Sequence, residues 1–401
     1  MKNKILLNPF FFLNWNGGID VFLYFLNGIK NLNKKFELFI ILPKNNLNTQ
    51  IKKKIYPIYS LFNLFFNKKK FSYKWPPADG IRRIESFIVK NNIKIQIIDK
   101  DYGDLLSTIQ KINPKVVFPV AKPFKRFKDK NIFYVFDLQH EFLKKFFSSD
   151  EIRVRKLEIK KNLNNSKFII VNSKNTKKSL KNIYSRNLVG KKIYSIPFVP
   201  NIDLNNFKFR KNLKKIYGIK KKYFIVCNQL WVHKNHKFVI KAFHKYCKKG
   251  GKNDLIFTGN TYDRRMPNYF DEILELINKL NLNDRVKILG NIFKEDQLFL
   301  MKNSEVLIQA SLFEGGPGGG SSYEAMSLNV PIFASNIKVN LEMGKRKNLR
   351  YFDPYKVDKL TYLMLNHKFK TKKYNLREIK KNSEIQRKKL TIFFDRIFST
   401  F

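Results

Sequence analysis

The stretch Ser311-Leu-Phe-Glu-Gly-Gly-Pro-Gly-Gly-Gly-Ser-Ser-Tyr-Glu-Ala-Met326 sets two carboxylates, Glu314 and Glu324, at the ends of a glycine-rich loop. The apolar run Val306-Leu-Ile308 before it reads as a strand, so the order is strand, bare-backbone loop, helix. Gly315, Gly316, Gly318, Gly319 and Gly320 let the main chain approach a ligand closely. Ser321 and Glu324 have capping-box spacing, which predicts a helix start at Ser321 with unpaired N–H groups facing the loop. An anionic or polyhydroxyl ligand suits such a site.

Working outward from the loop, short apolar strands alternate with helical stretches in both halves of the 401-residue chain. Strands are predicted over residues 5–7, 38–42, 95–98, 116–120, 133–136 and 168–171, and again over 223–226, 255–258, 286–289, 306–308 and 331–334. This alternation predicts α/β architecture with parallel sheets covered on both faces. A length of 401 residues exceeds what one core usually serves, and two doubly wound, Rossmann-like domains facing a central cleft are expected. The prolines of Ser195-Ile-Pro-Phe-Val-Pro-Asn201 place the boundary, giving domains over 1–201 and 202–374. The tail over 375–401 carries Ile392, Phe393, Ile397 and Phe398 and reads as a final helix lying on the body.

Composition narrows the function. The chain is 43% hydrophobic and 15% aromatic, enough to fill two cores. Lys and Arg outnumber Asp and Glu by 80 to 31, for a formal charge of +49. Such a field attracts anions, yet the charge is spread along the chain, is mostly Lys and accompanies no nucleic-acid-binding module, so no specific nucleic acid is expected. Two cysteines, Cys227 and Cys247, are too few for a disulfide framework and lack metal-site spacing, which points to a reducing, cytoplasmic setting and to no structural metal. The N-terminal residues read as a first core strand, because asparagines interrupt the apolar positions and no small-residue cleavage site follows.

Three further segments carry polar groups at predicted strand ends. Asn228-Gln-Leu-Trp-Val-His-Lys-Asn-His236 lies between a strand and a helix from about residue 237, where Lys234 can set a point charge against a diphosphate. Val135-Phe-Asp-Leu-Gln-His140 places His140 just beyond another strand, at the cleft-facing end of a parallel sheet, where it could hydrogen-bond a ligand or handle a proton. Gly17-Gly18 follow the first strand and read as a loop ahead of its helix. The cations of Asp263-Arg-Arg265 lie on a loop from which they could reach a substrate, with a solvated loop the favoured reading.

Taken in order, these motifs resemble the family 4 glycosyltransferases, the group 1 enzymes of GT-B fold that retain anomeric configuration. The resemblance is close from about residue 223 to 344, moderate over 131–201 and faint over 46–111. It implies a donor sugar beside Glu314, ribose hydroxyls on Glu324, and a diphosphate held by the turn at Lys234, by the amides of Gly315, Gly316, Gly318, Gly319, Gly320 and Ser321, and by backbone near Gly17 and Gly18. Gln229 stands where the family has an arginine, losing the cation and keeping a hydrogen-bonding group. The family leaves seven residues between its two glutamates and this chain has nine.

What the resemblance implies is transfer of a hexose or related sugar from a nucleotide donor to an acceptor hydroxyl, with His140, Glu314 and Lys234 as catalytic residues. No metal and no cofactor are expected. The pathway implied is surface polysaccharide or glycolipid synthesis on glycan or lipid-linked acceptors. Residues 51–70, with two lysine triplets around Phe, Tyr and Leu, have the composition of a segment resting on the inner face of an anionic membrane. Two alternatives share the cleft: another GT-B enzyme such as a sugar-nucleotide epimerase, and a binding protein that holds a nucleotide-sugar without turning it over.

Overall fold

The computed structural model describes residues 2–13, 16–43, 78–100, 104–200, 212–369 and 376–401. The proposed membrane segment, residues 51–70, lies outside them, as do residues 201–211 of the linker.

Two parallel sheets form. The first comprises β1 (Asn3–Leu7), β2 (Phe36–Leu42), β3 (Gln96–Asp99), β4 (Val116–Val120), β5 (Asn131–Val135), β6 (Phe168–Val171) and β7 (Lys192–Ser195). Its order is β3-β2-β1-β4-β5-β6-β7. The second comprises β8 (Tyr223–Cys227), β9 (Asp254–Thr258), β10 (Val286–Ile288), β11 (Val306–Gln309), β12 (Ile332–Ser335) and β13 (Leu349–Phe352), in the order β10-β9-β8-β11-β12-β13. The expected two-domain α/β architecture is therefore present. The central strands are mostly apolar because helices cover both faces; β4, β5, β8 and β9 are buried along their whole length. Separate cores lie on the two faces of each sheet, for instance around Phe25 and Phe118 in the first domain and around Phe243 and Phe257 in the second.

Two strands were not expected, β7 and β13. Both are edge strands with residues left exposed or half-buried, so neither shows the apolar run that marks their neighbours.

The terminal helix, Leu376–Phe398, lies against the first helix, Asn16–Ile29. Leu390, Phe394, Ile397 and Phe398 enter the first domain's core, where Phe394 meets Phe25 edge-on and Phe118 at 5.4 Å between ring centres. Gly28 permits this approach: a Cβ there would stand 2.6 Å from Leu390 Cγ. Ile392, expected on the packed face, is 67% exposed, because the buried stripe of this helix runs through 390, 394, 397 and 398. Among the described residues no helix is long and apolar enough to cross a membrane.

Candidate active site

In both sheets the strand order reverses beside the first strand, between β1 and β4 and between β8 and β11. Ligands of open α/β sheets bind beyond the carboxyl ends of strands at such points. The turn after β8 and the glycine loop after β11 therefore emerge side by side. The Leu312 amide donates to the His233 carbonyl across 2.8 Å, tying one to the other. Beside that bond Lys234 Nζ donates to Glu314 Oε1 at 2.5 Å. Lys234 occupies a 3-10 turn, Val232–Lys234, and Asn235 in left-handed conformation starts the helix His236–Lys248. Glu314 is only 9% exposed, and Gln309, at the end of β11, donates to the same oxygen across 2.7 Å.

The helix after the glycine loop begins earlier than the capping box predicted. It spans Gly319–Ser327 with Gly318 as N-cap, so Ser321 lies inside the first turn and caps nothing. Gly318 and Gly319 both have positive φ, +67° and +62°, conformations that L-residues with side chains rarely adopt. The Glu314 carboxyl lies 3.1 Å from where a Gly319 Cβ would stand, and so rests against the start of the helix. A helix start favours negative charge there, and its first-turn amides, Gly320 and Ser321, have no intrahelical acceptor. Asn340 Oδ1 accepts from the Gly318 amide, while Asn340 Nδ2 donates to Ser335, whose hydroxyl in turn donates to the Ser311 carbonyl. Gln309, Ser311, Ser335 and Asn340 are fully buried and hold the loop from beneath. Sequence reading missed Gln309 and Asn340: Gln309 is marked only by polar type at the end of an apolar strand, and Asn340 lies in the 3-10 turn Asn340–Met343 beyond β12, where no local pattern marks it.

The first domain faces this loop. Its Phe136 carbonyl and Asp137 side chain lie against the Gly315 Cα, and Asn172 lies against Gly316. Gly315 and Gly316 thus face protein, whereas Gly320 faces open space. His140, on the short helix Gln139–Phe142, is 1% exposed, and neither ring nitrogen has a hydrogen-bond partner among the described residues. The nearest carboxylate oxygen, on Glu141, is 3.6 Å away. Burial holds the imidazole's pKa below its ordinary value, although Glu141 and Asp137 oppose this. A neutral ring has one donor and one acceptor nitrogen to offer.

Arg265, read from sequence as part of a solvated loop, is instead largely buried and joins the domains. Its guanidinium donates to Gln139 Oε1 at 2.5 Å, pairs with Asp263 and reaches His233 Nδ1 at 3.2 Å. It also lies over the rings of Phe147 and Trp231, one from each domain. One residue thus connects the segment carrying His140 to the turn carrying Lys234.

Glu324 heads a different cluster. Lys294 donates to Glu324 and to Asp20 of the first helix, and Asp20 also accepts from Arg83. Burial would raise the Asp20 carboxyl, but Lys294 and Arg83 overcome it and hold its pKa at about 2. Burial would likewise lower Lys294, and the two carboxylates overcome it, so the ammonium stays charged well beyond the usual range. At Glu324 burial prevails over Lys294 and the pKa is raised. Gly17 and Gly18 lie in the first turn of helix Asn16–Ile29 rather than in a preceding loop, three and two residues before Asp20. Gln229 is half-buried at the β8 turn. No group of His, Cys, Asp or Glu suited to a metal ion occurs among the described residues. Both cysteines are free, and burial pushes the Cys227 thiol up to about 12.

Residues 209–364 match the family model of glycosyl transferases group 1. A curated protein of Methanocaldococcus jannaschii, an uncharacterised glycosyltransferase, is 30% identical over 177 residues, spanning 43% of this chain and 40% of that protein. Among solved structures, Anabaena HepE in complex with UDP and glucose has a TM-score of 0.62 at 14% identity, with both chains covered fully. Sucrose-phosphate synthase from Thermosynechococcus elongatus has a TM-score of 0.61 at 13% identity, over 100% of this chain and 99% of that one. A glycosyltransferase from Rickettsia africae has a TM-score of 0.58 at 16% identity, over 100% and 98%. The match to the group 1 glycosyl transferase family is carried by the second domain, and the likeness over the whole chain is that of the two-domain GT-B fold.

Proposed function

We propose that this chain is a retaining glycosyltransferase of the family 4 type, moving a hexose or related sugar from a nucleotide-sugar to an acceptor hydroxyl without a metal ion. The observation that carries the reading is the Lys234–Glu314 pair at the start of the helix Gly319–Ser327, inside the region that matches the family. A leaving diphosphate would gather charge beside the Lys234 ammonium and the amides of Gly320 and Ser321, where such donors act most strongly in the transition state. Glu314 would face the positive charge that develops on the sugar carbon. That carbon's bond to the diphosphate oxygen breaks, and the electron pair leaves with the diphosphate. The acceptor oxygen bonds to the same carbon on the same face, and its proton passes to the departing phosphate oxygen.

Neutral His140 would bond a hydroxyl of the donor sugar, and Glu324 the ribose. HepE was solved with UDP and glucose, which supports a nucleotide-sugar as donor. A lipid-linked or glycan acceptor, in surface polysaccharide or glycolipid synthesis, and contact of residues 51–70 with an anionic membrane complete the proposal.

The test is to incubate the purified chain with a panel of nucleotide-sugars and to measure release of nucleoside diphosphate with and without acceptors. Turnover of one donor, abolished by replacing Glu314, is expected. Binding without turnover of any donor would favour a non-catalytic protein, and interconversion of free sugar-nucleotides an epimerase.

A further inference from the structure

The glycine loop is longer than the family spacing, and its first residues after Glu314, Gly315 and Gly316, lie against the first domain. The Gly315 carbonyl accepts from Thr176 Oγ1 at 2.8 Å and lies 3.1 Å from Ser173 Oγ. Thr176 and Ser173 begin the helix Lys174–Ile183, in which Ser173 is the N-cap and its oxygen accepts from the Thr176 amide. The same helix start is met by a second acceptor from the other domain. Glu342 Oε2 accepts from the Lys174 amide at 3.0 Å and its Oε1 from the Asn175 amide at 2.6 Å. Those amides have no acceptor within their own helix, and here a bidentate carboxylate from the opposite domain satisfies them.

The fit is close. A Cβ on Gly315 would stand 2.2 Å from the Phe136 carbonyl oxygen, so no larger residue enters without separating the domains or moving the loop. Asn172, beneath Gly316, is held on both sides, donating to the Phe136 carbonyl at 2.9 Å and accepting from Tyr134. Gly315 is the immediate neighbour of Glu314, so whatever fixes its carbonyl fixes the backbone from which the Glu314 side chain departs.

We propose that the lengthened loop is an interdomain seat: the first turn of helix Lys174–Ile183 docks on Gly315 and Glu342, and Ser173 and Thr176 act as positioning residues that set Glu314. Its consequence for catalysis rests on the proposed role of Glu314; the seat itself is testable without any ligand.

Hydrogen exchange on the ligand-free chain tests the seat. The amides of Lys174 and Asn175, which a helix start normally leaves to fast exchange, are expected to be slowed about 10-fold or more relative to Glu342→Ala. Equal exchange in wild type and Glu342→Ala would overturn the proposal. Sugar transfer by Thr176→Val then tests its consequence. Loss of the hydroxyl should lower kcat roughly 10-fold while KM for the nucleotide-sugar stays within about 2-fold, and Thr176→Ser should restore it. An unchanged kcat in Thr176→Val, with an active wild type, would overturn the positioning role. Should wild type turn over no nucleotide-sugar, the functional reading fails, and the exchange measurement still decides the seat.

Discussion

The Lys294 ammonium donates to the Asp20 carboxylate across 2.9 Å, and this contact joins the second domain to the first helix of the first. Lys294 also holds Glu324, and its third proton is directed at Gln297 Oε1, 3.3 Å away. All three of its donors are therefore used inside the protein. Replacing it with Met leaves Glu324 without its ion partner, with a side chain only 14% exposed, and leaves Asp20 with Arg83 alone. Lys294→Met should lower unfolding free energy by about 3 kcal/mol, the lower end for breaking a buried pair, because both carboxylates retain some solvent. Urea unfolding checks this; an unchanged midpoint would show that the cluster contributes nothing.

Lys234 bears on turnover more than on folding. It sits 2.5 Å from Glu314 at the place where the leaving diphosphate is proposed to gather charge. Lys234→Met should lower kcat by roughly 100-fold to 1,000-fold, the cost of one such donor. Gln229→Ala should lower it less, since a neutral amide bonds phosphate more weakly than an ammonium. Steady-state rates with the identified donor give the comparison, and the opposite ranking would move the diphosphate site away from Lys234.

Acid should unfold the protein earlier than its many lysines suggest. Burial, the leading cause in each case, holds the pKa of His140, His233 and His236 below the ordinary 6.5, to about 3 for His236. The folded values lie below the unfolded one. Above pH 6.5 both states are neutral and nothing is lost; below it the unfolded chain binds protons that the folded chain refuses. Stability should therefore fall as pH falls, His236 alone adding up to about 1.4 kcal/mol per pH unit between 6.5 and about 3, with His140 and His233 acting in the same direction. Asp20, depressed from 3.8 to about 2, adds a further loss in the range between those values. His236→Gln, which keeps a donor near Asn228 Oδ1, should flatten the slope between pH 6 and pH 5. A slope as steep as wild type would remove His236 from the account.

The docking of the terminal helix depends on the absence of a side chain at Gly28. Gly28→Val would drive methyl groups into Leu390 and Phe394. The expected cost is about 1–3 kcal/mol, typical of an overfilled core, with faster proteolysis within the terminal helix. Equal protease resistance would mean that the helix shifts without penalty.

Arg265→Lys should fail to replace Arg265. An ammonium does not reproduce a planar fork that meets Gln139, Asp263 and His233 together and covers two rings. Transfer rate should fall about 10-fold or more in both Arg265→Lys and Arg265→Met. Recovery in the lysine variant would reduce the role of Arg265 to its charge.

The sequence by itself determined the architecture, because parallel strands buried on both faces must be written as apolar runs, and runs such as Phe39-Ile-Ile-Leu42 and Tyr223-Phe-Ile-Val226 have no other economical use. It also marked the segments at the sheet switch points, since glycines and polar residues directly after such runs break the apolar pattern. It did not mark β7 and β13, whose edge positions tolerate lysine, arginine and tyrosine at exposed or half-buried places and so interrupt the apolar run. Nor did it place the helix start, because Ser321 and Glu324 have capping-box spacing, while left-handed Gly318 and Gly319 and the Asn340 bond to the Gly318 amide begin the helix earlier.

Only the tertiary structure decided the pairings that give the site its character. Lys234 meets Glu314 from 80 residues away, Lys294 meets Asp20 from 274, and Arg265 meets Gln139 from 126. Local pattern records which face of an element is apolar. It holds no record of which distant partner a cation meets: Lys234 and Glu314 come together because a crossover sets β8 beside β11 in one sheet, and the other two pairs form only when two sheets, each folded on its own core, close against one another.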